Sequence, residues 1–404
     1  MAEDYLHGVE VVELDTGVRP ISAARMSVIG LVGTAPDADP EAFPVNTPVL
    51  VFGRQEAAKL DTVGDGAGTL PDAMTGIFAQ GGALTVIVRV DEGADDAATV
   101  SNVIGGQDAD TGANQGIQAL LDSQSVLGLV PRILAAPAHS AHLTRDDTTD
   151  EITGAPVADA LLSVADRMRA VAVLDGPDTN FSDAVAWRDL FGSARAYGVD
   201  PWVSVWDTAA DAVVVQPPSP YVAGLIAAAD AAVGGAWAIP SNRLLSGISG
   251  TSRPVDFVMG DPNTRANQLN AQNVATIIRE DGYRLWGPRT FSSDAKWQYL
   301  NVRRTADLVN QSILQSHLWA VDRGIRKNYV ANVVEGVNRY LRRLKNPSRG
   351  AIVGGEAWAD PEANPSDAIQ NGNLTIDFEF TPVYPAERLT FRSRLTDRFI
   401  EEIF

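Results

Sequence analysis

Residues 84–90 read LTVIVRV, apolar at every position but Thr85 and Arg89. A strand with one face in water would alternate; a run this continuous reads as a strand covered on both faces. Working outward, MSVIGLVG (26–33) and TPVLVFG (47–53) have the same character. Between TPVLVFG and LTVIVRV, LPDAMTGIFAQGG (70–82) predicts a helix that stops at its glycines. From residue 115 to about 240 the rhythm is regular. Helix QGIQALLDSQ leads to strand PRILAAP, a helix near 156–169 to AVAVLDGP, and helix FSDAVAWRDLFGSAR to PWVSVW; AVVVQPP then precedes helix YVAGLIAAADAAVGG. Alternating apolar strands and helices predict an α/β fold, a largely parallel sheet covered by helices.

After Arg253-Pro254 the texture changes, which places a domain boundary near 250–258 and an α+β unit over 255–383 after a domain of 21–254. AQNVATIIREDGYRLWGPRT (271–290) reads as two strands joined at Asp281-Gly282. Two long helices follow, about 294–320 and 325–345, broken near Asp322-Arg323-Gly324. In the second, Ile325, Tyr329, Val333, Val337, Leu341 and Leu344 form a core stripe at helical spacing, and Arg339, Arg342 and Arg343 lie off it, facing outward. RGAIVGG (349–355) reads as a glycine-rich link and WADPEANPSD as a loop. Strand LTIDFEF (374–380) sets Leu374, Ile376, Phe378 and Phe380 against Thr375, Asp377 and Glu379; strand ERLTFRSRL (387–395) sets Leu389, Phe391, Ser393 and Leu395 against Thr390, Arg392 and Arg394. Acid on one and arginine on the other suit neighbouring strands. The link between them, TPVYPAER, is too long and proline-rich for a tight hairpin, and its eight residues could carry the last strand roughly 26 to 29 Å away. That strand either folds back on its own sheet or reaches another molecule.

With 404 residues, 45% of them hydrophobic and 21% charged, the chain is long enough for more than one core. A net charge of -19 argues against nucleic-acid or anionic-membrane binding by the whole surface. The absence of cysteine excludes disulfides, thiolate zinc sites and cysteine nucleophiles, and fits a reducing cytoplasm. MAEDYLHGVE lacks the features of a secretory signal, and no apolar run reaches membrane-spanning length, so a soluble chain not exported by a Sec signal is expected. Against this acidity, Asp322 to Arg349 holds eight basic residues and two acidic ones. Such a stripe reads either as a solvated helix face or as a dock for an acidic partner.

Catalytic motifs are mostly missing. None of the four lysines follows a glycine, which excludes a Walker A loop, and GDGAGT (64–69) has the wrong spacing for a dinucleotide loop and reads as a surface turn. Gly247-Ile248-Ser249-Gly250 fails as a nucleophile elbow because Thr251 stands where glycine is needed. Only four histidines are present. His139 and His142, with Asp146 and Asp147 nearby, lie after a strand end and read as a polar loop rather than a metal site, since no third ligand is specified. Asp360, Glu362 and Asp367 lack calcium-loop spacing.

KWQYLNVRRTADLVNQSI (296–313), HLWAVDRGIRKNYVANVVEGVNRYLRRL (317–344) and the run from RGAIVGGEAW to LTFRSRL (349–395) closely resemble the C-terminal domain of contractile tail sheath proteins of the P2-like branch, related to sheaths of R-type tailocins and contractile injection systems. HGVEVVEL, GVRPI, SVIGLVGTAP, VLVFG and FAQGGALTVIVRV resemble that family's opening. The C-terminal match covers about a quarter of the chain. The resemblance implies a structural subunit, not an enzyme, with no cofactor or metal. It implies a homo-oligomer of stacked six-membered rings that polymerises around an inner tail tube protein, ends at baseplate and terminator proteins, and contracts to drive the tube through a cell envelope. The implied location is a virion tail or tailocin particle assembled in the bacterial host cytoplasm. It also implies an outer α/β domain, an inner domain on the tube, and arms at residues 1–20 and 384–404 lent to neighbours. Strand exchange would then involve Val9, Glu10, Val11 and Glu13, and Leu389, Phe391, Arg392, Arg394 and Leu395; the acceptor strand would hold Leu374, Ile376, Asp377, Phe378 and Glu379; Arg339, Arg342, Arg343 and Lys345 would face the tube. Two competing readings are an α/β hydrolase-like enzyme with a site near His139 and Ser249, and a non-contractile shell protein.

Overall fold

The computed structural model describes residues 20–208 and 210–398. The arm residues Val9, Glu10, Val11 and Glu13 lie outside them. LTVIVRV is central: Thr85–Val90 lies inside a six-stranded sheet ordered Ala196–Val199, Val171–Asp175, Ile133–Ala135, Ile29–Thr34, Thr85–Val90, Pro48–Val51. All pairings are parallel except that of the edge strand Pro48–Val51. The pleat sends successive side chains to opposite faces. Ile29, Leu31, Ile87, Ile133 and Val171 join one core, closed by the helices Leu70–Ala79 and Ser219–Val233. Val32, Val86, Val88, Leu134 and Ala172 join another, closed by the helices Asp96–Ile104, Pro156–Met168 and Phe181–Asp189. Each fully buried side chain of this kind contributes about 1.5–3 kcal/mol, so the double-sided burial expected of continuous apolar runs anchors the molecule.

Three local expectations change. The helix after Asn180 ends at Asp189, and the next strand of the main sheet is Ala196–Val199, hidden in the sequence behind Phe191–Arg195. PWVSVW instead supplies Val203–Asp207, the middle of a separate antiparallel sheet with Ala212–Gln216 and Gly250–Thr251. The boundary near 250–258 does not coincide with a change of core: Leu269, Val274 and Phe291 pack into one core of the sheet, and Ile277, Leu285 and Leu300 into the other. The hairpin Thr276–Arg279 and Tyr283–Trp286, turning at Asp281-Gly282 with positive φ at both, forms as expected.

The helix Leu300–Ser316 joins this body to a third cluster, where Val309 meets Val337, Tyr340, Leu341 and Leu344 of the helix Lys327–Leu344. The glycine-rich link proves to be a strand. Ile352–Trp358 pairs antiparallel with Asp377–Pro382, and Ile352, Ala357, Phe378 and Phe380 cover the same cluster. Ile21, from the start of the described chain, packs there too. Among the described residues no helix is long and apolar enough to cross a membrane.

Candidate assembly interface

The C-terminal ribbon is two strands wide and is held by packing one face on the helix Lys327–Leu344. Its register sets Trp358 opposite Asp377, Ala357 opposite Phe378, Glu356 opposite Glu379 and Gly355 opposite Phe380. The two edges differ. Asn338, on the helix Lys327–Leu344, accepts from the Ala357 N–H and donates to the Ala357 carbonyl, both at 2.8 Å. Those groups therefore point away from the partner strand, and the asparagine side chain fills a ladder position on that edge. Because hydrogen-bonded and non-hydrogen-bonded pairs alternate in an antiparallel ladder, Phe378 and Phe380 also direct their N–H and C=O groups outward, on the other edge. Asn364, in the loop between the two strands, bonds Thr375 through that residue's N–H and carbonyl, at 2.7 and 2.9 Å, and leaves the Phe378–Phe380 edge open. Of the expected acceptor residues, Asp377, Phe378 and Glu379 lie in the strand; Leu374 and Ile376 precede it.

The two faces of the ribbon also differ. Phe378 and Phe380 stack at 6.3 Å over the helical cluster. On the solvent face Glu356 stands directly opposite Glu379, a like-charge pair that costs stability until a cation joins it.

The chain leaves this ribbon along a built path. Val383 donates its N–H to the Ala351 carbonyl at 3.2 Å and accepts at its own carbonyl from Asn301 Nδ2 at 2.8 Å. The Tyr384 ring meets Tyr299 edge-on at 6.2 Å. Glu387 accepts from Arg289 Nε and Nη2, each at 2.7 Å, and from the Tyr299 hydroxyl at 2.9 Å. The hydrogen bond to Glu387 raises the Arg289 pKa, and burial followed by the same carboxylate raises that of Tyr299. Beyond this clamp the segment to Arg398 holds no helix or strand. Leu389, Phe391 and Leu395 are 73%, 91% and 107% exposed.

Of the stripe on the basic helix, Val333, Val337, Leu341 and Leu344 are buried, joined by Tyr340, whereas Tyr329 is half-buried and Ile325 precedes the helix. Its cations divide. Arg343 donates to the Ile21 carbonyl at 2.6 Å and lies over the Tyr340 ring, so it holds the incoming chain as well as facing solvent. Arg342 pairs with Glu335 at 2.5 Å on the surface. Arg339 and Lys345 are exposed.

The surroundings of the two residues of the hydrolase reading, His139 and Ser249, are as follows in the described chain. Asp175, at a strand end, accepts from Ala138 N–H, Ser140 Oγ, and both Ser219 N–H and Oγ, at 2.7–3.1 Å. These bonds tie a loop and a helix start to the sheet. Burial pushes Asp175 up to about 6 and His139 down to about 4. Ser249 donates to the Ser204 carbonyl, in the small antiparallel sheet. In the GDGAGT turn, the Gly64 and Gly66 N–H groups are spent on Asp61. Among the described residues no group of three or more His, Asp or Glu is arranged to hold a metal ion.

The site is thus a helix-covered, largely parallel sheet joined to a two-stranded ribbon, with a tail whose apolar side chains stand in solvent. The comparisons name the family. Residues 112–291 match the phage tail sheath protein central domain and residues 292–396 the phage tail sheath C-terminal domain. The chain belongs to the phage tail sheath protein family. It is 44% identical to a sequence assigned as a prophage major tail sheath protein in Pseudomonas aeruginosa strain UCBPP-PA14, and 36% identical to the tail sheath protein of Escherichia phage P2, in each case over 99% of this chain and 98% of the relative. Its fold is similar to the contracted helical sheath of the anti-feeding prophage, with a TM-score of 0.69 at 23% identity, covering 96% of this chain and 99% of that one.

Proposed function

We propose that this chain is the subunit of a contractile sheath that polymerises as stacked six-membered rings around an inner tube, bounded by baseplate and terminator proteins, within a tail or tailocin particle assembled in the host cytoplasm. The tail segment Leu389–Leu395 of one copy adds as a strand to the Phe378–Phe380 edge of another. The observation that carries this reading is the exposure of Leu389, Phe391 and Leu395 in a chain whose ribbon leaves that edge unpaired. The alternation matches on both faces. Leu389, Phe391 and Leu395 would extend the Phe378 and Phe380 row, while Arg392 and Arg394 would meet Asp377, Glu379 and Glu356. Backbone bonds give such an addition its strength and the side chains its register. An exposed ion pair adds at most about 1 kcal/mol. Head-to-tail donation does not close on itself, so it generates a helical tube.

In this reading the two long helices and the ribbon form the inner unit, the parallel sheet forms the outer one, and the segment around Glu10 and Glu13 is a second donated arm. Arg339 and Arg342, with Arg343 and Lys345, face an acidic tube. The extended sheath is kinetically trapped, and contraction re-docks the globular parts on better-matched surfaces while the ladders hold. Removal of residues 388–404 tests the reading: electron microscopy should then show single subunits where the full chain forms cylinders. Cylinders from the truncated chain would overturn it.

A further inference from the structure

We propose that Arg289, Tyr299 and Glu387 form a latch that gives the donated strand a tether of two lengths. The inference rests on the strand donation above and deepens it.

Sequence reading assigns eight residues, TPVYPAER, to the link before the last strand. Most of that link is not free. Val383 is fixed by Ala351 and Asn301, Tyr384 is seated on Tyr299, and Glu387 is gripped at both carboxylate oxygens by Arg289 and at one by Tyr299. Arg289 and Tyr299 are themselves registered by an antiparallel bridge, and the guanidinium lies 5.9 Å from the Tyr299 ring centroid. The residues that hold the latch thus belong to the body, immediately before the helix Leu300–Ser316.

With the latch closed, the free chain from Glu387 to Leu389 spans about 7 Å, so the acceptor ribbon of the neighbouring copy must stand beside Arg289 and Tyr299. With it open, the free chain begins at Val383 and spans about 20 Å to Leu389. The gain of about 13 Å lets a neighbour move while its ladder stays paired. The latch is suited to opening: the side chains of Arg289 and Glu387 are 31% and 29% exposed, so salt reaches and screens the pair. The contacts of Val383 are made by backbone and amide groups and remain when the ion pair is lost. They set the limit of the longer tether.

The absence of cysteine from the chain permits a direct measurement. Spin labels at Lys296→Cys and Arg388→Cys, both exposed and outside the latch, report its state as an inter-label distance in the full-length subunit. A single narrow distance is expected at low salt, broadening toward longer values by about 10 Å at high ionic strength. Glu387→Gln and, separately, Arg289→Ala should show the broad distribution at low salt. Sheaths assembled from either variant should still form but shift from extended to contracted cylinders. A distribution that neither variant changes, or a broad one in the parent at low salt, overturns the latch. Failure of donation itself reads differently: the chain truncated at residue 387 would still polymerise, whatever the labels report.

Discussion

Two successive helices carry arginines to opposite fates. On the helix Leu300–Ser316, Arg304 turns inward: its Nη1 and Nη2 donate to Asp230 at 2.8 and 2.6 Å, its Nη2 also donates to the Met26 carbonyl, and Ser27 Oγ donates to the same carboxylate. Asp307, three residues on, accepts from Arg195 at 2.7 and 3.1 Å and from Arg303 at 2.7 Å. On the helix Lys327–Leu344, Arg342 reaches only Glu335, at the surface, and Arg339 stands in solvent. The first helix spends its charges inside one chain and thereby fixes the C-terminal unit to the parallel sheet. The second keeps Arg339 and Arg342 at the surface.

The sharpest test of that difference is to remove one partner from each pair. Asp230→Ala leaves a guanidinium buried with its main partner gone, since the side chains of Arg304 and Asp230 are 1% and 2% exposed. A loss of about 3–5 kcal/mol is expected, read as a fall in the urea midpoint of the unassembled subunit. Glu335→Ala should cost no more than about 1 kcal/mol. Equal losses would erase the distinction between the two helices.

Buried ionisable groups also make the body sensitive to pH, where the outer helix should be sensitive to salt. His139, held neutral down to about 4 mainly by burial, resists a proton that the unfolded chain accepts near 6.5. Its contribution is present above pH 6.5 and is lost as pH falls toward 4, on the order of 3 kcal/mol. Asp175, raised to about 6 by burial, acts with the opposite sign: its folded carboxyl takes up a proton before the unfolded one, so stability rises as pH falls from 6 toward 3.8, by a similar amount. The two offset each other in the parent chain. Relative to the parent, the urea midpoint between pH 7 and 4 should therefore rise toward acid in His139→Leu and fall toward acid in Asp175→Asn. Profiles parallel to the parent's in both variants would show that neither group titrates with a shift.

What was legible in the sequence followed from periodicity. The continuous runs at 26–33 and 84–90 became central strands, the Asp281-Gly282 hairpin formed, and the stripe Val333, Val337, Leu341 and Leu344 became core. What was not legible depended on distant contacts. Gly198 breaks the look of a strand in AYGV, yet a Cβ there would sit 2.1 Å from the Phe291 ring, so the strand needs its glycine. Gly355 made IVGGEAW look like a link, but a Cβ there would meet the Glu379 carbonyl oxygen at 2.7 Å. Pattern reading also spread the acceptor strand over 374–380 and missed both asparagines that close parts of its surroundings, because Asn338 acts on a strand nineteen residues away. Arg304 and Asp230 are separated by 74 positions, a pairing that no local spacing announces.

The smallest effect on the subunit is expected at the outer helix, and there it is most informative. Arg343 is unsuitable for the test, since its bond to the Ile21 carbonyl would be lost together with its charge. Arg339→Glu combined with Arg342→Glu alters a face that is exposed and paired only with Glu335, so the stability read from urea unfolding should change by no more than about 1 kcal/mol. If that face docks on an acidic tube, the same double variant should abolish co-sedimentation of sheath with tube. The parent's binding should weaken between low and high salt, because contacts between exposed charges are screened over about 10 Å at 0.1 M ionic strength. Retained, salt-sensitive binding by the double variant would assign the docking charge to Arg343, Lys345 and the arginines before Lys327. Retained binding without salt dependence would remove electrostatics from the contact and leave the basic stripe a solvated face.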